Sequence, residues 1–156
     1  MTAALTFTHV TRTEKGVSAP LLNDITFEAA EGELTALVGA DGAGKTTLMR
    51  IAAGILAPQS GTVSVLGETI QVGEAAAQSL IGYMPQKFGL YEDLSVMENF
   101  LLYADLFGLG EKERETRFAE LLAMTDLTKF TARPAGKLSG GMKQKLGLAC
   151  ALLNRP

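Results

Sequence analysis

The stretch Gly39-Ala-Asp-Gly-Ala-Gly44-Lys45-Thr46-Thr47 has residue types and a spacing that define a chemistry on their own. It follows the pattern G-x-x-x-x-G-K-[ST], in which glycines let a loop fold back until successive backbone N–H groups point inward at phosphate oxygens. A helix opening at Lys45 adds roughly half a positive charge at its N-terminus. Lys45 then reaches the β- and γ-phosphates of a nucleoside triphosphate, and the hydroxyl of Thr46 can ligate Mg²⁺. The candidate ligands are therefore Gly39, Ala40, Asp41, Gly42, Ala43, Gly44, Lys45, Thr46 and Thr47. A second glycine cluster, Leu138-Ser139-Gly140-Gly141-Met142, has Ser139 as an N-cap for a helix and leaves the first-turn N–H groups at Gly140 and Gly141 approachable.

Such a phosphate loop is expected between a strand and a helix, and the flanking residues predict both. Leu34-Thr-Ala-Leu-Val38, stopped by Gly39, reads as a short buried strand of a parallel sheet. From Lys45 to Ala53 the apolar residues Leu48, Ile51 and Ala52 recur at helical spacing, with Gly54 as the C-terminal cap and Pro58 beyond it. Upstream, Leu5 to Val10 alternates, with Leu5, Phe7 and His9 on one face, and Ile25 and Phe27 suggest a second strand. Thr62 to Leu66, between Gly61 and Gly67, and Leu80 to Met84, ending at Pro85, are further strand candidates. The pattern turns helical at Val96 to Leu106 and again at Glu113 to Leu127, where Glu113 can pair with Arg117. The last helix starts near Ser139, with Met142, Leu146, Ala149 and Leu153 on one stripe. The Glu111 to Arg117 charge run reads as a solvated helix face, His9 as structural and Cys150 as a core thiol.

Composition narrows the class. The 156 residues are 47% hydrophobic and 20% charged, which suits a globular domain. Fourteen basic and seventeen acidic side chains give a net charge of -3 with no long basic run, so no nucleic-acid partner is expected. One cysteine allows neither an intramolecular disulfide nor a multi-cysteine metal site. The single cysteine fits a reducing cytosolic setting; no apolar run approaches the ~18 residues that span a bilayer and Met1 to Val10 has no secretion-signal pattern, so neither a membrane span nor a secretion signal is expected in these residues.

With both glycine motifs on the page, the sequence resembles the ATP-binding subunits of ABC transporters, in which a P-loop is followed about a hundred residues later by an L-S-G-G-Q signature. The phrase Gly82-Tyr-Met-Pro-Gln-Lys-Phe-Gly-Leu-Tyr-Glu-Asp-Leu-Ser-Val-Met-Glu-Asn99 looks like the ABC-2 type exporters, multidrug-efflux subunits in particular. The resemblance implies an α/β fold: a P-loop NTPase, RecA-like parallel core with an antiparallel β subdomain and a helical signature subdomain, truncated at its C-terminal end. Residues 1–85 would hold the β subdomain and P-loop part of the core, 86–145 the Q-loop and helical subdomain, and 146–156 the return towards the core.

Gln86 would be the Q-loop glutamine, catalytic through contact with Mg²⁺ or the attacking water. Ser139, Gly140 and Gly141 would bind ATP held by a second nucleotide-binding domain, in a head-to-tail dimer or a tandem chain. ATP and Mg²⁺ are the implied cofactors. The implied partners are transmembrane ABC-2 type permease subunits, with the protein peripheral on the inner face of the cytoplasmic membrane. Two departures stand out: Thr13 to Lys15 has no aromatic where the family stacks adenine, and Met142 replaces the signature glutamine. The Walker B aspartate and catalytic glutamate are expected after residue 156, which leaves the 156 residues inactive alone by this reading. A non-catalytic nucleotide-binding fragment and a soluble ABC-type ATPase are the alternatives.

Overall fold

A bulge in one strand organises the first half of the molecule. In the computed structural model, which describes residues 3–14, 16, 18–74, 79–86 and 89–156, the chain forms two compact units, residues 1–81 and 82–156. Unit one carries β1 (Ala3–Arg12), β2 (Leu22–Ala30), α1 (Lys45–Ala52), β3 (Ser60–Val65) and β4 (Glu68–Thr69), with the strands in the order β2-β1-β3-β4, all antiparallel. Phe7 pairs with Phe27 and Val10 with Ile25, so Thr8 and His9 together oppose Thr26. The extra residue resets the alternation. Phe7 and Val10 go into the core, while His9, at φ 51°, turns outward and its Nδ1 lies 2.7 Å from Asp24 Oδ1. The expectation that His9 shares the face of Leu5 and Phe7 is thereby corrected.

The same bulge is accommodated on the β3 side by Gly61. Its φ is +82°, and a Cβ there would fall 2.3 Å from the carbonyl oxygen of His9. β3 then turns into β4 through Leu66 and Gly67, both at positive φ as a two-residue I′ hairpin turn requires. One face of the sheet receives α1: Phe7, Val10, Leu22, Leu48, Ile51, Ala52, Val63 and Ile70 form the core of this unit.

Two expected strands do not form. Residues 33–40 run without ladder hydrogen bonds, with Leu34 fully exposed and Val38 89% exposed, and Leu80 to Met84 is a turn followed by irregular chain. The apolar composition of Leu34 to Val38 was legible, but a strand exists only through pairing. Among the described residues nothing pairs with either run, and the sheet present is the antiparallel one.

Unit two is helical: α2 (Val96–Leu106), α3 (Glu111–Met124), short 3₁₀ turns at Thr128–Phe130 and Ala135–Lys137, and α4 (Gly140–Leu152). Ser95 caps α2 in a reciprocal box, its Oγ accepting from Glu98 N while Glu98 Oε2 accepts from Ser95 N. Hydrogen bonding from Ser95, its side chain first and its backbone N–H second, holds the Glu98 carboxyl below its ordinary pKa. Val96, Phe100 and Ala104 of α2 meet Phe118, Leu121 and Leu122 of α3 and Leu146, Ala149, Cys150 and Leu153 at α4. The Phe100 and Phe118 rings meet edge to face at 5.2 Å, worth about 0.5–1.5 kcal/mol beyond burial.

Arg117 departs from the solvated face and from the expected Glu113 pair. Its side chain is only 15% exposed; Nη1 pairs with Glu120 at 2.9 Å and Nη2 donates to the Leu152 carbonyl at 2.6 Å. The guanidinium thus satisfies an end carbonyl of α4, where a cation is favoured. No helix among the described residues is long and apolar enough to cross a membrane.

Cys150 is 1% exposed, and burial pushes its thiol up to about 12. Because the folded value lies above the unfolded one, this site stabilises fully below the ordinary thiol pKa and loses that contribution as pH rises toward the folded value. Native protein at pH 8 is expected to resist a thiol reagent such as Ellman's and to react stoichiometrically only after urea unfolding. Rapid labelling of the native protein would contradict the burial of Cys150.

Candidate functional site

Gly44 decides the geometry of the phosphate-type loop. It is the N-cap of α1 with φ +88°, a left-handed conformation that glycine adopts without the steric cost of a Cβ. It is buried against the start of β2: a Cβ would lie 2.8 Å from Leu22 Cδ2 and 3.3 Å from the Leu21 carbonyl oxygen. The chain at Gly44 can therefore reverse into the helix while remaining in contact with the sheet. Gly42 is also left-handed, at φ +79°, and Ala43 N donates to the Ala40 carbonyl at 3.3 Å, closing the loop on itself.

The electrostatics follow from this backbone. α1 has no side-chain cap and no acidic residue in its first turn, so its leading N–H groups are not taken by a carboxylate or hydroxyl. Lys45 Nζ donates to the carbonyls of Gly39 and Ala40, both at 2.7 Å, which folds the ammonium over the loop. An ammonium whose partners among the described residues are neutral carbonyls, above an uncapped helix start, is a donor set matched to a polyanion. Thr46 is exposed and Thr47 half-buried in the same first turn. The residues present thus fit a phosphate chain, and the exposed Thr46 hydroxyl fits a hard cation that takes oxygen ligands.

The loop residues Gly39 to Thr47 all lie in unit one, brought together as the spacing predicts. Gln86 and the signature residues lie in unit two. Gln86 is exposed; the neighbouring Lys87 and Phe88 lie outside the described residues, as does Lys15 of the Thr13 to Lys15 stretch. Ser139 is the N-cap of α4, its Oγ accepting from Met142 N at 3.3 Å. Gly140 and Gly141 are exposed, and a Cβ on either would meet no atom within 4 Å. The turn is thus a capped helix start open above its two glycines.

Sequence reasoning missed Asn99. It is fully buried yet satisfied: Oδ1 accepts from Tyr91 N at 3.0 Å, and Nδ2 faces the carbonyls of Ser95, Tyr91 and Leu94 at 2.9, 3.1 and 3.3 Å. The one available signal was a polar residue on the Val96, Phe100, Ala104 side of a helix, which must find partners when buried.

A glycine loop closing on the uncapped start of a helix, beside an antiparallel sheet, defines a P-loop nucleotide-binding domain of the α/β class. The chain belongs to the ABC transporter family, whose model matches residues 22–156. It is 57% identical over 143 residues to the "Probable multidrug ABC transporter ATP-binding protein YbhF" of Escherichia coli strain K12, covering 92% of this chain and 24% of that protein. The chain therefore spans about a quarter of that relative's length. A solved "ATP binding subunit of ABC transporter" superposes with a TM-score of 0.85 at 32% identity, over 98% of this chain and 63% of that one. The cassette MJ0796, solved as a dimer "bound to ADP and Pi", superposes with a TM-score of 0.83 at 27% identity, over 97% of this chain and 70% of its own.

Replacing Gly44 with alanine puts a Cβ into a left-handed residue wedged against the Leu21 carbonyl. Gly44→Ala is expected to destabilise unit one by about 1–2 kcal/mol, read from the urea midpoint of unfolding. It should weaken nucleotide binding as well. An unchanged midpoint would mean that the loop does not depend on this backbone angle.

Proposed function

We propose that this chain is the ATP-binding part of an ABC-type exporter, holding Mg-ATP on Gly39 to Thr47 and coupling its hydrolysis to efflux through ABC-2 type permease subunits. The observation that carries the proposal is the start of α1: an uncapped helix N-terminus under a lysine ammonium that donates to the Gly39 and Ala40 carbonyls. In this reading Lys45 leaves the Gly39 and Ala40 carbonyls for the β- and γ-phosphate oxygens. The backbone N–H groups of Gly42 to Thr46 line the same oxygens, where they neutralise charge without an added counterion. Thr46 Oγ1 and Gln86 would hold Mg²⁺, which when bound offsets the charge building on the transferred phosphoryl group. Gln86 would also orient the attacking water.

Ser139, Gly140 and Gly141 serve a second nucleotide-binding domain, in a head-to-tail dimer or a tandem chain. Their helix start has room above it for an anion, and the similar cassette solved as a dimer with ADP and Pi supports the arrangement. Residues 1–85 then act as the β subdomain and nucleotide loop, 86–145 as the Q-loop and signature subdomain, and 146–156 as the return towards the core. The protein works on the inner face of the cytoplasmic membrane, and the multidrug description of the YbhF relative supports an efflux role. The exported compound is selected by the permease.

Lys45→Ala and Ser139→Ala separate the two halves of this reading. Removing Lys45 deletes a charge-assisted hydrogen bond worth about 1.5–3 kcal/mol, so calorimetry should show Mg-ATP affinity falling roughly ten- to more than a hundredfold. Ser139→Ala should leave affinity at the P-loop nearly intact while weakening the ATP-dependent association of the two nucleotide-binding domains, followed by sedimentation or chemical crosslinking. Wild-type affinity in the Lys45 variant would sink the nucleotide assignment. An affinity loss in the Ser139 variant as large as that of Lys45→Ala would sink the sandwich.

A further inference from the structure

Residues 1–81, the unit that holds the phosphate loop, contain two aromatic side chains, Phe7 and Phe27, and one histidine, His9. Each of the three is already engaged. The two phenyl rings stack on each other with centroids 4.7 Å apart and planes at 21°; Phe7 is 1% exposed, and Phe27 packs against the core that Phe7 helps to form. His9 turns away from that core, to which α1 contributes, and its Nδ1 lies 2.7 Å from Asp24 Oδ1. A base bound next to the loop therefore finds no ring of this unit to stack on.

The end of β1 lies beside the start of α1. A Cβ on Gly44 would press on Leu22, Leu22 pairs with Arg12, and Leu21 N donates to the Arg12 carbonyl at 2.8 Å. Two polar groups of this strand end are turned to the chain that follows α1: Arg12 Nη1 donates to the Ala57 carbonyl and Thr13 N to Gln59 Oε1, both at 2.6 Å. The guanidinium that could lie on a base and the N–H that could read its edge are thus held elsewhere. Glu14, next in the chain, is exposed, and its carboxylate offers neither a flat apolar face nor a donor. The triphosphate, by contrast, meets the Lys45 ammonium and the uncapped N–H groups of α1.

We infer that this loop holds a nucleoside triphosphate through its triphosphate and does not distinguish one base from another, so that ATP, GTP and UTP are equivalent ligands of this chain. The inference rests on the nucleotide reading above and narrows it to the part of the nucleotide that is recognised. A ring stacked on a base raises affinity roughly five- to more than a hundredfold, a gain that the engaged rings of this unit do not supply. Rejection of a wrong base needs polar groups built to pair with the right one, and Arg12 and Thr13 N spend theirs on Ala57 and Gln59.

Isotope-labelled full-length protein titrated with the Mg²⁺ complexes of ATP, GTP, UTP and inorganic tripolyphosphate tests this, each affinity being read from the amide shifts of Gly42 to Thr47 so that it belongs to this loop. The four ligands should bind within about fivefold of one another, no more than the smallest effect of one stacked base. Adenosine, which has the base without the phosphates, should leave these amides unmoved. In Lys45→Ala all four affinities should fall in the same proportion, because the ammonium meets phosphate alone. A preference of more than about fivefold for Mg-ATP over any of the other three would overturn the inference and leave the nucleotide reading standing. So would binding of adenosine at these amides, or a Lys45→Ala loss for Mg-ATP that Mg-tripolyphosphate does not share. Binding of none of the four would overturn the nucleotide reading, and the inference with it.

Discussion

The left-handed turn at Gly44 is the constraint on which the phosphate-type site depends. A residue with a Cβ would lose about 1–2 kcal/mol at this φ and would press on the Leu21 carbonyl. With glycine the chain turns directly from the loop into α1, and Leu22, which opens β2 and is 3% exposed, sets where that turn sits. The sheet in turn owes its core face to the bulge at His9, which brings Val10 inward. Sequence, bulge, sheet, Gly44 and Lys45 form one chain of causes. A change in the packing of Leu22 reaches the ammonium without touching it.

The four α-helix starts among the described residues show how local sequence decides which N-terminus can receive an anion. α2 is closed by its own Ser95 and Glu98 box, and α3 follows Gly110 with Glu111 and Glu113 in its first turn, so both present negative charge where a helix offers positive. α1 and α4 have no acidic residue in the first turn. They differ in one respect: the Ser139 side chain takes the Met142 N–H, whereas Gly44 has no side chain to cap with. α1 is therefore the more demanding of an external anion. The replacement of the usual signature glutamine by Met142 removes the side chain that could have closed a second capping box.

The helices α1 to α4, the strands β1 to β3 and the glycine turn before α1 were legible in the sequence because each is written locally, in periodicity, caps and glycine spacing. Phe118, Leu121 and Leu122 face the core as their spacing requires, and Cys150 is the core thiol that its stripe implied. What escaped depends on partners far along the chain. The outward turn of His9 requires knowing that Thr26 and Gly61 lie opposite it, and the capping role of Arg117 requires Leu152, thirty-five residues away. Leu34 to Val38 has the composition of a buried strand, yet composition cannot supply the neighbouring strand that would pair with it. The links from Asn99 to Tyr91 and from Lys143 to Glu92 were invisible for the same reason, since tertiary pairing alone distinguishes them from any surface amide or ion pair.

The central claim is that the start of α1 is the phosphate site, and amide NMR of isotope-labelled protein titrated with Mg-ATP tests it most directly. The account predicts that the largest shift changes fall on the amides of Gly42 to Thr47, with Lys45 Nζ leaving the Gly39 and Ala40 carbonyls. Changes centred elsewhere, for instance on the cavity lined by Ile51, Leu56, Val63 and Ile70, with the Gly42 to Thr47 amides unmoved, would contradict it.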